Sequence, residues 1–597
     1  MFIESLNYPF DTKAILRKRR SIRKELSLQK DLKDIKVALL GGSTTSDILN
    51  FVEIFLLNAG FRPTFFESEY GKYFEDVVVD DSELRAFKPD IVFIHTTHVN
   101  LINAPDLFSS DAEVESCLRA EMEYYEAIWS KLSEELNCLI IQNNFDLPFM
   151  RSLGNLDSTE IYGKTNFLNR LNLEFSSAAR QNPKLIINDI NYLSFQVGLN
   201  QWYDPNYWFS YKMAVTPLGS IYLGHAIVKL ICAAYGKTRK CLVLDLDNTM
   251  WGGVIGDDGL EGIKIGQETP QGEAFTAFQE YCKELNERGI LLAVCSKNEL
   301  DNAQGGFSHP DSVLKLDNFT SFQANWDPKP GNIENIAAEI NIGLDSLVFV
   351  DDNPAERSLV SAQLPPVATP DVGNEVSHFA EFIEREGYFE VTNISRDDVK
   401  RAVSYADNQQ RAKYKTKFAD YNEFLESLEM KAEIGPFSPT YLDRITQLTN
   451  KTNQFNLTTK RYTFAEMQAM AESPEYITLY GRLEDRFGDN GLITVVTGKL
   501  NENQVHIDLW FMSCRVIKRD MELAMLDALV LKAIENGSEE LIGYYYQTQK
   551  NGMVADHYSK LGFKLVSEAE DQSSSVWKLE LKNYETRNKN IKEIEYV

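Results

Sequence analysis

Beginning at Val243 the chain reads VLDLDNTMWGG, an apolar run interleaved with two carboxylates two positions apart and closed by a threonine and two glycines. Residues two apart on a strand share a face, and ligands of open α/β sheets collect at the carboxyl ends of strands. Asp245 and Asp247 are therefore expected to converge where a ligand would sit. Two carboxylates at close range repel, so such a pair is stable chiefly when a cation or a shared proton lies between them. Mg²⁺, which takes one or two carboxylates together with phosphate oxygens, fits the type.

Further segments of the same region end in complementary residues. GILLAVCSKN carries Ser296 at a strand end as a phosphate hydrogen-bond donor, NWDPKP offers Lys329 as a cation, and SLVFVDDNPAE ends a strand with Asp351 and Asp352. Taken singly, a DxD is a capped turn and a DD before a helix an N-cap. Together, these ends suit one phosphate and one metal.

DLDNT, CSKN, PK and VDDNPAE resemble the motifs of the haloacid dehalogenase (HAD) superfamily, across about Lys240–Val372. LDLDNTMWGGVIGDDG is similar, more narrowly, to the FkbH-like branch. The resemblance implies that Asp245 is the nucleophile forming an aspartyl-phosphate and Asp247 the general acid and base. Thr249 would steady the loop, Ser296 and Lys329 would bind phosphate oxygens, and Asp245, the Asp247 backbone carbonyl and Asp351 would hold Mg²⁺, supported by Asp352 and Asn353. WGGVIGDDGLEGIKIG, where such enzymes carry a cap, is far too short for a cap domain.

At 597 residues the chain is too long for one core, and three or four units are expected. Apolar runs alternate with helical patterns up to about Gly236, which implies a parallel sheet with crossover helices. We expect an SGNH-like, flavodoxin-like α/β domain over 1–236 and a HAD Rossmann-like core with a minimal cap over 237–372. A helical connector over 373–428, a GNAT-like α+β domain over 429–583 and a polar tail over 584–597 complete the expected order. In the last domain, FGDNG and NENQ read as hairpin turns.

The N-terminal part resembles SGNH hydrolases, which implies a site at Ser43, Asn143 or Asn144, and His225. The same residues read as a tight turn, a helix N-cap and one histidine on a packed helix, in a unit that positions a partner. The C-terminal part resembles the GNAT acyltransferase fold, through LWFMSCRVIKRDMELAMLDAL, YYYQTQKN and HYSKLGF. Its loop CRVIKRD lacks the usual glycines, so Arg515, Lys518 and Arg519 stand as contacts for a carrier or its pyrophosphate. Cys514 and Cys295 are the candidate acyl-bearing thiols, each also read as a small apolar filler. His506 and His557 are candidate bases, each also read as a hydrogen-bonded bystander.

The formal charge of −27, from 61 basic and 88 acidic residues, opposes nucleic acid and anionic membrane as partners. Seven scattered cysteines without a CxxC pair read as reduced thiols. With no stretch of ~18 uninterrupted apolar residues, a cytoplasmic protein is expected.

Similarity to FkbH-like proteins implies phosphoryl hydrolysis coupled to transfer of a glyceryl-type acyl group from a phosphorylated three-carbon donor to an acyl carrier protein. Two alternatives stand beside it: a separate Mg²⁺-dependent phosphatase on a sugar phosphate or related metabolite, and a non-catalytic assembly or sensing protein.

Overall fold

Every residue of Ile91–His95 is buried, as a strand covered on both faces requires. In the computed structural model it is the centre of a five-stranded parallel sheet. The strands are β1 (Lys33–Gly41), β2 (Phe61–Glu67), β3 (Ile91–His95), β4 (Leu139–Asn143) and β5 (Leu185–Asn188), in the order β2-β1-β3-β4-β5. The structure describes residues 3–597 apart from 31, 81, 400–404, 406, 409, 412, 413, 452–454, 463, 514, 515, 549 and 550. The chain divides into two compact units, Met1–Ala233 and Ala234–Val597.

Four of the five strands of the first unit are the expected apolar runs. The fifth, β2, was not foreseen: FRPTFFE carries Pro63 and is only partly buried, the composition of an edge strand, where a missing N–H costs nothing. Helix Pro217–Ala234 is long and apolar enough to cross a membrane by length and composition, and 61% of it is buried inside the protein. It packs closely, since a Cβ on Gly224 would stand 2.9 Å from Cβ of Phe51 and 3.1 Å from the Val52 nitrogen.

The second unit opens with a four-stranded parallel sheet. It consists of β6 (Cys241–Leu244), β7 (Leu291–Ser296), β8 (Phe319–Ala324) and β9 (Leu347–Val350), ordered β8-β7-β6-β9. Residues sort by parity along these strands. Leu242, Leu244, Leu292, Val294, Val348 and Val350 enter one apolar core, and Cys241, Val243, Leu291, Ala293, Cys295, Leu347 and Phe349 enter another. Both faces being covered, the sequence shows continuous apolar runs that turn polar only where a strand leaves the sheet.

An eight-stranded sheet follows, ordered β15-β16-β14-β13-β12-β11-β10-β17. Its strands are β10 (Lys431–Gly435), β11 (Tyr476–Asp485), β12 (Gly488–Asn501), β13 (Gln504–Met512), β14 (Glu540–Tyr546), β15 (Lys564–Glu568), β16 (Ser574–Glu580) and β17 (Glu593–Tyr596). The fold is mixed α/β throughout, and this last part is α+β. The tail is not merely polar: β17 pairs in parallel with β10 at the sheet edge.

The first hairpin turns two residues earlier than FGDNG suggests, at Arg486 and Phe487, because the Asp485 carboxylate is held there. It accepts two bonds from Arg411 at 2.7 Å each and one from the Phe487 N–H at 2.9 Å. The connector is joined to the flanking parts within this unit. A Cβ on Gly289, at φ +92°, would lie 1.9 Å from the Asp398 carbonyl oxygen, and Arg444 Nη1 lies 3.3 Å from Asp398 Oδ1.

Candidate active site

The carboxyl ends of β6, β7 and β9, with the loop after β8, build one polar centre. Asp245 stands just past β6, its N–H still bonded to the Val350 carbonyl at 3.0 Å. Asn248 then takes φ +56°, and the loop turns back so that Trp251 bridges to Asp247. Asp245 and Asp247 thus leave the sheet through a turn rather than along one strand face.

Lys329 begins helix Lys329–Ile340 and is only 3% exposed. Its ammonium lies 2.8 Å from Asp245 Oδ1 and 2.5 Å from Asp351 Oδ2. Burial opposes its charge, yet Asp245 and Asp351 hold it protonated well above the ordinary lysine range. Asp351 is completely buried, and its pKa is pushed up to about 6 by burial and by the Asp245 charge, against the pull of Lys329. Burial and Asp245 raise Asp352 as well.

Oxygen atoms of Asp245, Asp351 and Asp352 lie within 4.8 Å of one another. Three carboxylates facing one lysine carry an excess of negative charge in a buried place, the donor chemistry of a hard divalent cation. The residues fit Mg²⁺. The Asp247 carboxylate is not in this group; the ligand expected of Asp247 is its backbone carbonyl, and its side chain is engaged elsewhere. Its Oδ1 accepts from Trp251 Nε1 at 3.0 Å and from the Ile255 N–H at 3.1 Å, and its Oδ2 from Asn298 Nδ2 at 2.8 Å. These bonds aim it beside Ser296, whose Oγ is 3.5 Å from the same Asn298 nitrogen.

Thr249 Oγ1 accepts from the Asp352 N–H at 3.2 Å and so ties the β6 loop to the β9 loop. Asn353 donates from its backbone to Asp351 Oδ1 at 2.9 Å and caps helix Pro354–Gln363. Three contributors were not singled out from sequence: Trp251, Asn298 and Arg357. Arg357 donates to the carbonyls of Asp351 and Asp352 at 2.7 and 2.9 Å and pairs with Asp371 at 2.6 Å. Trp251 and Asn298 stand inside the very motifs quoted, four residues after Asp247 and two after Ser296. The segment after Asp247 forms a short flap, with a helix over Ile255–Gly262 and a bridge between Gly252 and Lys264.

Cys295 does not join the centre. It is completely buried, its Sγ 3.7 Å from the Lys329 carbonyl, and burial pushes its thiol up to about 12. Cys514 and Arg515 lie outside the described residues. Lys518 is exposed, whereas Arg519 is paired with Asp485 at 3.1 Å and bonded to Asn408 at 2.7 Å, which removes it as an open carrier contact. His557 lies edge-on between Phe455 and Trp510, and burial lowers it to about 3. His506 stacks on Tyr544 with its Nδ1 2.7 Å from the phenol oxygen.

The parallel strands β13 and β14 pair only over Gln504–His506 and Glu540–Ile542. Beyond that, residues 455–458 run between them. Leu457 N–H donates to Trp510 (3.2 Å), Met512 N–H to Phe455 (3.1 Å) and Tyr546 N–H to Leu457 (3.0 Å).

In the first unit the expected trio is not assembled. His225 packs on Phe10 and Phe55, with ring centroids 4.9 and 5.2 Å away. Phe55 lies nine residues along helix Ser46–Asn58 from its start, about 14 Å at 1.5 Å per residue, and Ser43 precedes that start. Asn143 is locked inside the sheet, its Nδ2 2.9 Å from His95 Nδ1 and its Oδ1 accepting from Asn188 at 2.8 Å. Asn144 is held by Asp189 at 2.7 Å.

Residues 36–232 match the family model described as "FkbH, N-terminal domain". Among solved structures, the N-terminal part of the protein BF1531 from Bacteroides fragilis, containing a phosphatase domain complexed with Mg, is 28% identical. The match has a TM-score of 0.58 and covers 63% of this chain and 99% of that one. The ribosomal-protein-S18-alanine N-acetyltransferase of Escherichia coli is 11% identical, covering 25% of this chain and 94% of its own, with a TM-score of 0.20. The GNAT domain of S. lividans PAT is 10% identical, covering 25% and 89%, with a TM-score of 0.21. Likenesses so low carry no argument about activity. No curated protein matches the chain. Residues 36–232 are thus similar to the FkbH N-terminal domain, and the HAD-type motifs gather at one centre in the part of the chain that follows it.

Proposed function

We propose that the chain is a Mg²⁺-dependent phosphatase of the HAD type acting on a phosphorylated small molecule. The observation that carries this is the placement of Lys329 between Asp245 and Asp351, with Asp352 completing three converging carboxylates. The solved relative with 28% identity contains a phosphatase domain complexed with Mg, which supports the same metal here. Asp245, Asp351 and Asp352 would hold it, and bound Mg²⁺ supplies neutralisation of phosphoryl charge. Lys329 contributes a second cation, so that Asp245 can approach an anionic phosphorus. Asp247, oriented by Trp251, Ile255 and Asn298, protonates the leaving oxygen and then takes a proton from water. Ser296 donates to a phosphoryl oxygen.

The finer reading is that a glyceryl-type acyl group passes from a phosphorylated three-carbon donor to an acyl carrier protein, in the cytoplasm. It is supported by the FkbH-like motifs and by Cys514, which follows the last residue of β13 by two positions in the sequence. The buried thiol of Cys295 favours the narrower alternative, a phosphatase on a sugar phosphate or related metabolite. Intact-protein mass spectrometry with Mg²⁺ and 1,3-bisphosphoglycerate generated in place separates them, with Asp245→Asn as control. A glyceryl adduct that moves to a phosphopantetheinylated carrier supports transfer. Phosphate release without adduct or carrier loading sinks transfer from this donor, and no phosphate release from any phosphate ester or acyl phosphate sinks the phosphatase.

A further inference from the structure

The floor of the Asp245 centre is buried at Ser296, Lys329 and Asp351. Whatever a substrate carries beyond its phosphate therefore meets the rim, which is made by the flap and by the loops after β7 and β8. The loop after β8 is fixed against β7. The Asn325 N–H donates to the Ser296 carbonyl at 3.2 Å. The Asn325 side chain pairs with that of Asn332 through amide bonds of 3.2 and 2.8 Å and accepts from the Asp327 N–H at 3.0 Å. Trp326 stands between Asn325 and Asp327, three residues before Lys329, and its Nε1 donates to Glu299 Oε1 at 2.8 Å. Backbone and side chain together hold the indole across the loops that bear Ser296 and Lys329.

Of the seven tryptophans in the chain, Trp326 alone is exposed, at 67%. One apolar residue at a surface needs no explanation; one pinned at both ends beside a buried polar centre does. Its N–H is already bonded, so what it offers a neighbour is a broad ring face. The charge around it is negative. Glu299, Asp301 and Asp327 are exposed on the same two loops, and Asp257 is exposed on the flap. The flap borders these loops, since a Cβ on Gly256 would stand 3.9 Å from Asn298 Oδ1. Lys297, next to Ser296, is paired with Glu356 at 2.6 Å. Such a rim repels a second anionic group, whereas its carboxylates accept from hydroxyls. The negative face of an indole attracts the weakly positive C–H edge of a saturated ring. Both features suit one kind of leaving group, a neutral ring rich in hydroxyls.

We propose that Trp326 is a specificity-determining residue that receives the ring face of a sugar monophosphate whose phosphate lies at the Asp245 centre. This rests on the phosphatase reading and, within it, favours the sugar-phosphate alternative. Glu299 is the positioning residue that sets the plane of the indole. A sugar bearing a second phosphate is a poorer ligand, because that group meets the acidic rim.

The test measures binding by calorimetry, with Mg²⁺, on the full chain carrying Asp245→Asn, which removes the nucleophile so that affinity is read without turnover. The probes are glucose 1-phosphate, glucose 1,6-bisphosphate and inorganic phosphate. Glucose 1-phosphate is expected to bind more tightly than the other two. Adding Trp326→Ala weakens it about tenfold and leaves inorganic phosphate unchanged, and Trp326→Phe, which keeps a ring face, recovers most of the loss. Equal weakening of inorganic phosphate would mean that Trp326 only supports the loop, and it overturns the proposal. So does an unchanged affinity for glucose 1-phosphate, or a wild-type rim that binds the bisphosphate more tightly. Phosphate release from glucose 1-phosphate is followed separately with Asp245 intact. Binding as expected without release counts against the phosphatase reading alone.

Discussion

Trp251 donates from its indole nitrogen to Oδ1 of Asp247 at 3.0 Å. The residue proposed to move protons is thus aimed by a side chain four positions later, on the flap. Hydrogen bonds to charged groups contribute about 1.5–3 kcal/mol, so Trp251→Phe is expected to lower kcat on an aryl phosphate by roughly ten- to a hundredfold, with KM nearly unchanged. Steady-state kinetics checks this; an unaltered kcat would show that Ile255 and Asn298 suffice.

Among the described residues, Lys329 is the one ammonium bonded to both Asp245 and Asp351. Removing one partner of a buried ion pair costs about 3–5 kcal/mol, because the remaining charge stays uncompensated. Lys329→Met should therefore lower Tm strongly in chelator, and Mg²⁺ should raise Tm more in the variant than in the wild type, since the cation then takes over the missing charge. Calorimetry with and without Mg²⁺ measures both. Equal Mg²⁺ effects in the two proteins would argue against a shared cation site.

How much of this centre the sequence discloses depends on whether a contact follows the strand order. Asp245, Ser296 and Asp351 each sit where an apolar run turns polar, and neighbouring strands bring such ends together, so they could be read from the chain. The partners of Asp247 could not, because a hydrogen bond from Trp251 or Asn298 depends on the turn at Asn248, whose φ is +56°. Likewise β2 was hidden by Pro63, and β17 by a charged sequence that pairs on one edge only. His225 was named for its residue type, whereas its surroundings, Phe10 and Phe55, are those of a packed ring.

Burial lowers His95 to about 4, below the ordinary value near 6.5. The folded state then binds fewer protons than the unfolded state between those values, so its contribution is full above about pH 6.5 and is lost as pH falls toward 4. The amount is on the order of 3 kcal/mol, at 1.36 kcal/mol per unit. Denaturant midpoints of the first unit's transition at pH 7, 5.5 and 4.5 should fall less steeply in His95→Gln than in the wild type. Parallel slopes would mean that His95 takes up its proton as readily in the fold as in the unfolded chain.

Residues 455–458 bond to β13 through Trp510 and Met512 and to β14 through Tyr546. Two strands that diverge leave backbone donors and acceptors which an extended ligand could pair with, but here the chain's own segment takes them. Coenzyme A is accordingly expected to leave amide exchange at Leu457, Met512 and Tyr546 unchanged. Leu457→Pro, which removes the N–H bonded to Trp510, should speed exchange at Met512 and Tyr546 severalfold. Faster exchange at these amides on adding coenzyme A to the wild type would show instead that the segment yields its place to a ligand.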